Sequence, residues 1–247
     1  MKKSTKILSL ITALSISVSA ASAKQGDILT QKDFEQVKKE NKKLFSQPGM
    51  KIIKGIDQGD FKQYEVEASG PRGVQRFQFF QSNKIKDTIF FGAAFKTDGT
   101  QYSLPVNEKV INEGVAFSMG TGSEQLYLVT DPECPYCQKL EEAIKPEALK
   151  KYTINVIPLP LSFHKKAKPM LYWVLSGKTK AEQSTRMHKV MTGDKEWETF
   201  KVSDTEKSRI DSILSKSDKA SKELGAQGTP SVFDKNFQKT NYQMLVQ

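Results

Sequence analysis

The chain has 247 residues and a formal net charge of +10, with 38 Lys and Arg set against 28 Asp and Glu. Its lysines alternate with acids, as in KKENKK and KSDKASKE, and there is no dense arginine block or aromatic-interleaved basic stripe. The charge therefore reads as solvated helix faces and excludes nucleic acid as a partner, while two cysteines are too few for a disulfide scaffold and leave the fold to a hydrophobic core.

The N-terminus reads MKKSTKILSLITALSISVSAASAK. Lys2, Lys3 and Lys6 start it, an apolar run follows from Ile7 to Val18, and Ala21-Ser22-Ala23 closes it with small residues. These are the three parts of a secretory signal peptide, assigned to residues 1–23. The run is shorter than the ~20 residues of a membrane span, and no later run approaches that length. The expected mature chain starts at Lys24, has 224 residues and a charge of +7, spans no membrane, and works in a bacterial periplasm or outside the cell. Disulfides form and persist there.

Phe34, Val37 and Leu44, spaced among Lys and Glu, predict an amphipathic helix over 30–45. Four strands follow in MKIIKGI, FKQYEVEA, VQRFQFF and DTIFFGAAF, separated by the turn-like DQGD, SGPRG and QSNK. Residues 24–100 thus form one domain, a helix with four antiparallel strands and no cluster of chemistry-bearing residues. PVNEKVINEGVAF predicts a short helix and MGTGSE a flexible joint, so residues 101–122 read as a linker. The rest, 123–247, changes character: strand (EQLYLVT), helix from Cys134, strand (YTINVIPLP), a helical block over 165–225, then two short strands. Ser203 and Glu206 make a capping box for a long helix with Ile210, Ile213 and Leu214 inward. The fold class is α+β.

Both cysteines lie in TDPECPYCQKLEEAI. With a strand ending at Thr130, Cys134 falls at the start of a helix and Pro135 in its first turn, where a missing N–H costs nothing. The free N–H groups and the helix dipole there favour a thiolate on Cys134. Cys137 lies one turn on, in register with Leu140 and Ile144, and faces the core. An exposed, activated thiol beside a buried one is what attack and resolution require. The competing readings are weaker. A zinc site needs two more ligands, and His164 and His188, the only histidines, are not placed to supply them; no metal and no other cofactor is expected. A bridge over two residues closes too small a loop to constrain the chain much. Gly228-Thr229-Pro230, opening a strand after the long helix, is a candidate cis-proline loop. Trp173 reads as core and Trp197 as partly exposed; Phe163-His164, after the second strand, lies either near the active-site rim or, the favoured reading, on a surface loop with a solvent-facing histidine.

LYLVTDPECPYCQKLEE and, further on, GTPSVF resemble the thioredoxin fold, and within it the periplasmic thiol:disulfide interchange proteins of the DsbC and DsbG type. The resemblance is strong at 126–145 and 225–233 and architectural elsewhere. It implies an N-terminal cystatin-like dimerisation domain, a linker helix, and a thioredoxin-like catalytic domain with a helical insertion. It implies Cys134 as nucleophile, Cys137 as resolving thiol and redox-active disulfide partner, and Pro135-Tyr136 as the tuning dipeptide. Thr229 and Pro230 would dock substrate backbone. Implied partners are mis-oxidised secreted proteins, a membrane thiol reductant of the DsbD type and a second copy of the chain. Three features depart from the family. Glu133 brings a negative charge beside Cys134. Leu128 stands where thioredoxin carries a buried acid, so no proton relay of that kind is expected. NYQMLVQ leaves the closing helix short or lost. The expected function is disulfide isomerisation. A thiol oxidase, or a holdase chaperone with incidental thiols, are the alternatives.

Overall fold

The computed structural model describes residues 25–70 and 73–247; the expected signal peptide lies outside them. Among the described residues no helix is long and apolar enough to cross a membrane. The chain divides into two compact units, one ending at Ala94 and the other covering Phe95–Gln247.

In the first unit, α1 (Gln31–Glu40) begins at Thr30, whose N–H and hydroxyl both donate to Asp33 Oδ2 at 2.8 and 2.6 Å. Asp33 at the start and Lys38 and Lys39 at the end match the helix dipole. Its Phe34 and Val37 pack on one face of an antiparallel sheet, ordered β1 (Met50–Asp57), β2 (Phe61–Gly70), β3 (Gly73–Ser82), β4 (Ile89–Phe91). Tyr64 stacks on Phe79 at 4.8 Å and meets Phe34 edge-on. Gly55 allows this approach, since a Cβ there would lie 3.0 Å from ring atoms of Phe34 and Tyr64. The helix stops before Leu44, which opens a 3-10 turn (Leu44–Ser46), and the fourth strand covers only the IFF of DTIFFGAAF.

The second unit is a mixed α+β layer structure of the thioredoxin type. Its strands are β5 (Phe117–Met119), β6 (Glu124–Thr130), β7 (Tyr152–Pro158), β8 (Ser231–Phe233) and β9 (Lys239–Thr240), in the sheet order β5-β7-β6-β8-β9. Only β6 and β7 run parallel, with Thr130 opposite Pro158. The helices are α2 (Glu108–Glu113), α3 (Pro135–Ala143), α4 (Pro146–Lys151), α5 (Ala167–Leu175), α6 (Lys180–Met191), α7 (Glu196–Thr199), α8 (Asp204–Glu223) and α9 (Gln243–Val246). Ser203 caps α8 by accepting from the Glu206 N–H at 3.3 Å, and the Glu206 carboxylate binds Arg209. Ile210 and Leu214 are buried and Ile213 is partly so.

The segment expected as a linker, 101–122, is built into this unit. Helix α2 packs on α8, where a Cβ at Gly114 would overlap the Ala220 methyl and come within 2.8 Å of the Lys216 carbonyl. The Ser217 hydroxyl donates to the Gly114 carbonyl at 2.8 Å, fully buried. Phe117 has no exposed surface and joins the sheet through β5. The glycines of MGTGSE serve close packing: Gly120, at φ +79, and Gly122 leave no room for a Cβ against the backbone at 149–152. The composition of a joint and that of a tight backbone crossing are the same, which is why the sequence misleads here. At the other end α9 is short, yet Leu245 is wholly buried with Leu126, Leu128 and Leu140, and its carbonyl accepts from Lys145 N at 3.0 Å.

Candidate active site

The topology brings the expected residues together. Strand β6 ends at Thr130 and β8 pairs with it antiparallel, Val129 opposite Ser231, so the residues just after β6 meet those just before β8. Cys134 occupies the N-cap of α3 with extended backbone, and Pro135 is its first helical residue. The Cys134 N–H donates to the Asp131 carbonyl at 3.1 Å and its carbonyl accepts from Gln138 N at 3.0 Å. Facing it, the Thr229–Pro230 bond is cis, and the loop is tied by the Ser231 hydroxyl to the Gly228 carbonyl at 2.8 Å. The Cys134 thiol donates to the Thr229 carbonyl at 3.5 Å.

Exposure is distributed differently from the expectation. Both cysteines are free and both are buried, Cys134 at 5 % and Cys137 at 2 % exposure. Both belong to one buried apolar cluster with Met170, Leu171 and Trp173 of the helical insertion. The surface of the motif is instead Pro135 and Tyr136, the latter 72 % exposed. The two thiols differ in surroundings. Burial pushes the Cys137 thiol up to about 11, opposed by hydrogen bonds from the Thr130 hydroxyl and the Asp131 N–H. The Thr229 hydroxyl, which meets no partner at bonding geometry among the described residues, lies close enough to favour the Cys137 thiolate slightly.

Glu133 does not act as its position beside Cys134 suggests. Its Oε2 accepts from the Lys166 and Ala167 N–H groups at 2.6 and 2.9 Å. It therefore binds the first turn of α5, whose free N–H groups and dipole compensate a carboxylate.

Asp131, which the sequence did not single out, and His164, placed near the rim only on the less favoured reading, lie at the centre. Asp131 is a wholly buried acid. Its Oδ1 accepts from Glu133 N at 2.8 Å, and its Oδ2 accepts from Leu161 N at 2.7 Å and lies 2.9 Å from His164 Nδ1. His164 is thus tied into the site, with only 15 % of its side chain exposed, contrary to its reading as a solvent-facing loop residue. The signals were present: Asp-Pro is a turn signature, and parallel neighbouring strands bring together the segments that follow them. A second pair closes the far end of α3. Glu141, its side chain 9 % exposed, lies 3.1 Å from His188 Nδ1 on α6. Burial raises its carboxyl, against a lowering by His188. Trp173 is core, as expected, with the Arg186 guanidinium 5.0 Å over its ring.

A thiol pair at a strand–helix junction, one sulfur turned to a neighbouring loop and the other beneath it, is the working part of thiol–disulfide oxidoreductases, and this protein is one of that class. The chain belongs to the thioredoxin-like domain family, whose model matches residues 112–236. Among solved structures it is similar to ScsC of Proteus mirabilis in a transitional conformation (17 % identity, 56 % of this chain and 72 % of that one, TM-score 0.42). It is similar also to the thiol-disulfide exchange protein α-DsbA2 of Wolbachia pipientis (14 %, 56 % and 87 %, TM-score 0.43). DsbG of Helicobacter pylori matches over more of the chain (13 %, 81 % and 99 %, TM-score 0.40). No curated protein matches.

Proposed function

We propose that the protein is a periplasmic disulfide isomerase. The Cys134 thiolate attacks one sulfur of an incorrect bridge in a secreted protein. The Cys134–substrate disulfide forms, and the other substrate sulfur leaves as a thiolate. That thiolate attacks a further bridge, and a last substrate thiolate displaces Cys134, so the exchange involves no net oxidation. Cys137 intervenes only when a substrate stalls; it attacks Cys134, releases the substrate reduced, and leaves the Cys134–Cys137 disulfide for a membrane thiol reductant to reduce.

The observation that carries this reading is the burial of Cys137. A resolving thiol held near 11 is a thiolate in only about one molecule in ten thousand at neutral pH, and the thiolate is the nucleophile. The mixed disulfide then persists long enough for the substrate's own thiols to act. A fast resolver would favour net transfer instead. The Cys134 charge contributes least to this and vanishes once Cys134 is bonded to substrate; desolvation, which contributes most, remains.

The test is reactivation of scrambled ribonuclease in a glutathione buffer by the mature protein and its Cys134→Ala and Cys137→Ala variants. Recovery that needs Cys134 and partly survives loss of Cys137 supports isomerisation. Rapid oxidation of reduced ribonuclease without rescue of the scrambled form would make it an oxidase. A holdase activity has its own support in the first unit, where Ile85, Phe90 and Phe91 are more than half exposed; it predicts undiminished aggregation suppression by Cys134→Ala.

A further inference from the structure

Tyr136 and Phe163, at 72 % and 68 %, are the most exposed large apolar side chains of the second unit. Tyr136 belongs to the dithiol motif. Phe163 lies on the loop after β7, far from it in sequence, yet three contacts connect the two. The His164 ring meets the Phe163 ring edge-on at 4.5 Å and 69°. His164 Nδ1 is 2.9 Å from Asp131 Oδ2, and the Asp131 carbonyl holds the Cys134 N–H.

The loop carrying Phe163 is fastened at more than one point. The His164 N–H closes a turn on the Leu161 carbonyl at 2.9 Å, and the Leu161 N–H donates to the same buried Asp131 oxygen at 2.7 Å. A carboxylate with no exposed surface thus spends hydrogen bonds on both sides of the site, organising the turn into Cys134 and the loop under Phe163. An aromatic ring held outward by buried polar anchors contributes little to the hydrophobic core. Its position suits apolar contact with something that arrives at Cys134.

We propose that Phe163 is a substrate-docking side chain of the dithiol site, with Asp131 and His164 as positioning residues that hold it at the rim. Its occupant is an apolar side chain of an extended, incompletely folded polypeptide, a few residues from the cysteine under attack. A polypeptide brings apolar side chains on either side of the sulfur at Cys134, whereas a small disulfide brings none. The site therefore favours polypeptide disulfides over small ones. This inference rests on the oxidoreductase reading.

The test compares two substrates of the reduced protein by stopped flow. One is a short peptide with a single disulfide flanked by apolar residues, the other hydroxyethyl disulfide. Phe163→Ala lowers the second-order rate constant for the peptide about five- to tenfold, as expected for truncating an anchoring aromatic. The loss falls in apparent peptide affinity, and the rates at saturation and with hydroxyethyl disulfide stay within about twofold. His164→Ala gives the same pattern, the Phe163→Ala/His164→Ala double variant is no worse than Phe163→Ala, and His164→Asn, which restores a donor near the Nδ1 position, recovers peptide reactivity. Equal losses on both substrates, a loss confined to the saturated rate, or multiplicative effects in the double variant would overturn the proposal. If the parent protein reacts with neither disulfide, the oxidoreductase reading fails, and docking is judged by anisotropy of a labelled, cysteine-free peptide: weaker binding by Phe163→Ala sustains it, equal binding ends it.

Discussion

In the proposed isomerase cycle the release of a stalled substrate depends on a thiol that burial keeps protonated, and its pH dependence is calculable. With Cys137 at about 11, its thiolate fraction is ~10⁻⁴ at neutral pH and grows about tenfold per pH unit. The expected release rate rises with a slope of one on a logarithmic scale from about pH 7 to 10 and levels near the Cys137 value. Thr130→Val tests the cause. The Thr130 hydroxyl is the largest of the groups that oppose the burial effect. Sulfur accepts weakly, so about 1 kcal/mol of thiolate stabilisation, roughly fivefold in rate, is the expected loss. The whole profile moves to higher pH in the valine variant. The assay forms a mixed disulfide with a fluorescent peptide at about pH 5, jumps the pH in a second mixing step, and follows peptide release; Cys137→Ala gives the background. A rate that levels off below about pH 9, or a Thr130→Val profile superimposed on the parent's, would refute burial as the controlling factor.

Gly114→Ala drives a methyl into Ala220 and the α8 backbone. Overpacking of this kind costs about 1–3 kcal/mol, which lowers the melting temperature of a unit this size by roughly 2–4 °C per kcal/mol; an unchanged melting curve would contradict the packing of α2 on α8. Glu141 is held above its ordinary range by burial, so the native state binds its proton more tightly than the unfolded chain does. That contribution to stability is full below the ordinary carboxylate range and is lost as pH rises through the raised value. Glu141→Gln is therefore expected to melt higher than the parent at neutral pH and no higher under mildly acidic conditions, as read by circular dichroism. Thr229→Val removes a buried hydroxyl that meets no partner at bonding geometry among the described residues; urea unfolding should show stability within about 0.5 kcal/mol of the parent or above it, whereas a large loss would mean that the hydroxyl is bonded.

Much of the architecture was legible because hydrophobic period and turn residues agree. Phe34 and Val37 mark one helix, the alternation in FKQYEVEA one strand, and the thiol motif a strand–helix junction with Thr229 and Pro230 opposite. What failed did so for identifiable reasons. Gly120 and Gly122 resemble a hinge until the backbone packed against them is known. Cys134 looked exposed because a helix N-terminus usually faces water; its cover comes from α5 and α6, some thirty to sixty residues away. Asp131 gives no comparable signal, since the position of thioredoxin's buried acid holds Leu128 here. Residue type along one strand does not reveal which acid the next strand's loop will cover.

The acids around the dithiol show how far local charge can mislead about a thiol. Asp131, Glu133, Glu141 and Glu142 surround Cys134 and Cys137 in sequence, a density of negative charge that should disfavour any thiolate. In the fold three of them are engaged elsewhere and the fourth, Glu142, faces solvent. Asp131 is bound by two backbone N–H groups and His164. Glu133 caps α5. Glu141 is buried, with its proton favoured and His188 at hand. Each compensation also makes a connection, since the partner lies on the loop after β7, on α5 or on α6. The same contacts that remove charge from the thiols thus fasten the helical insertion and the Phe163 loop around them. Asp131→Asn should slow reaction with a small disulfide and with a polypeptide disulfide together, because this one carboxylate organises both the turn into Cys134 and the loop under Phe163.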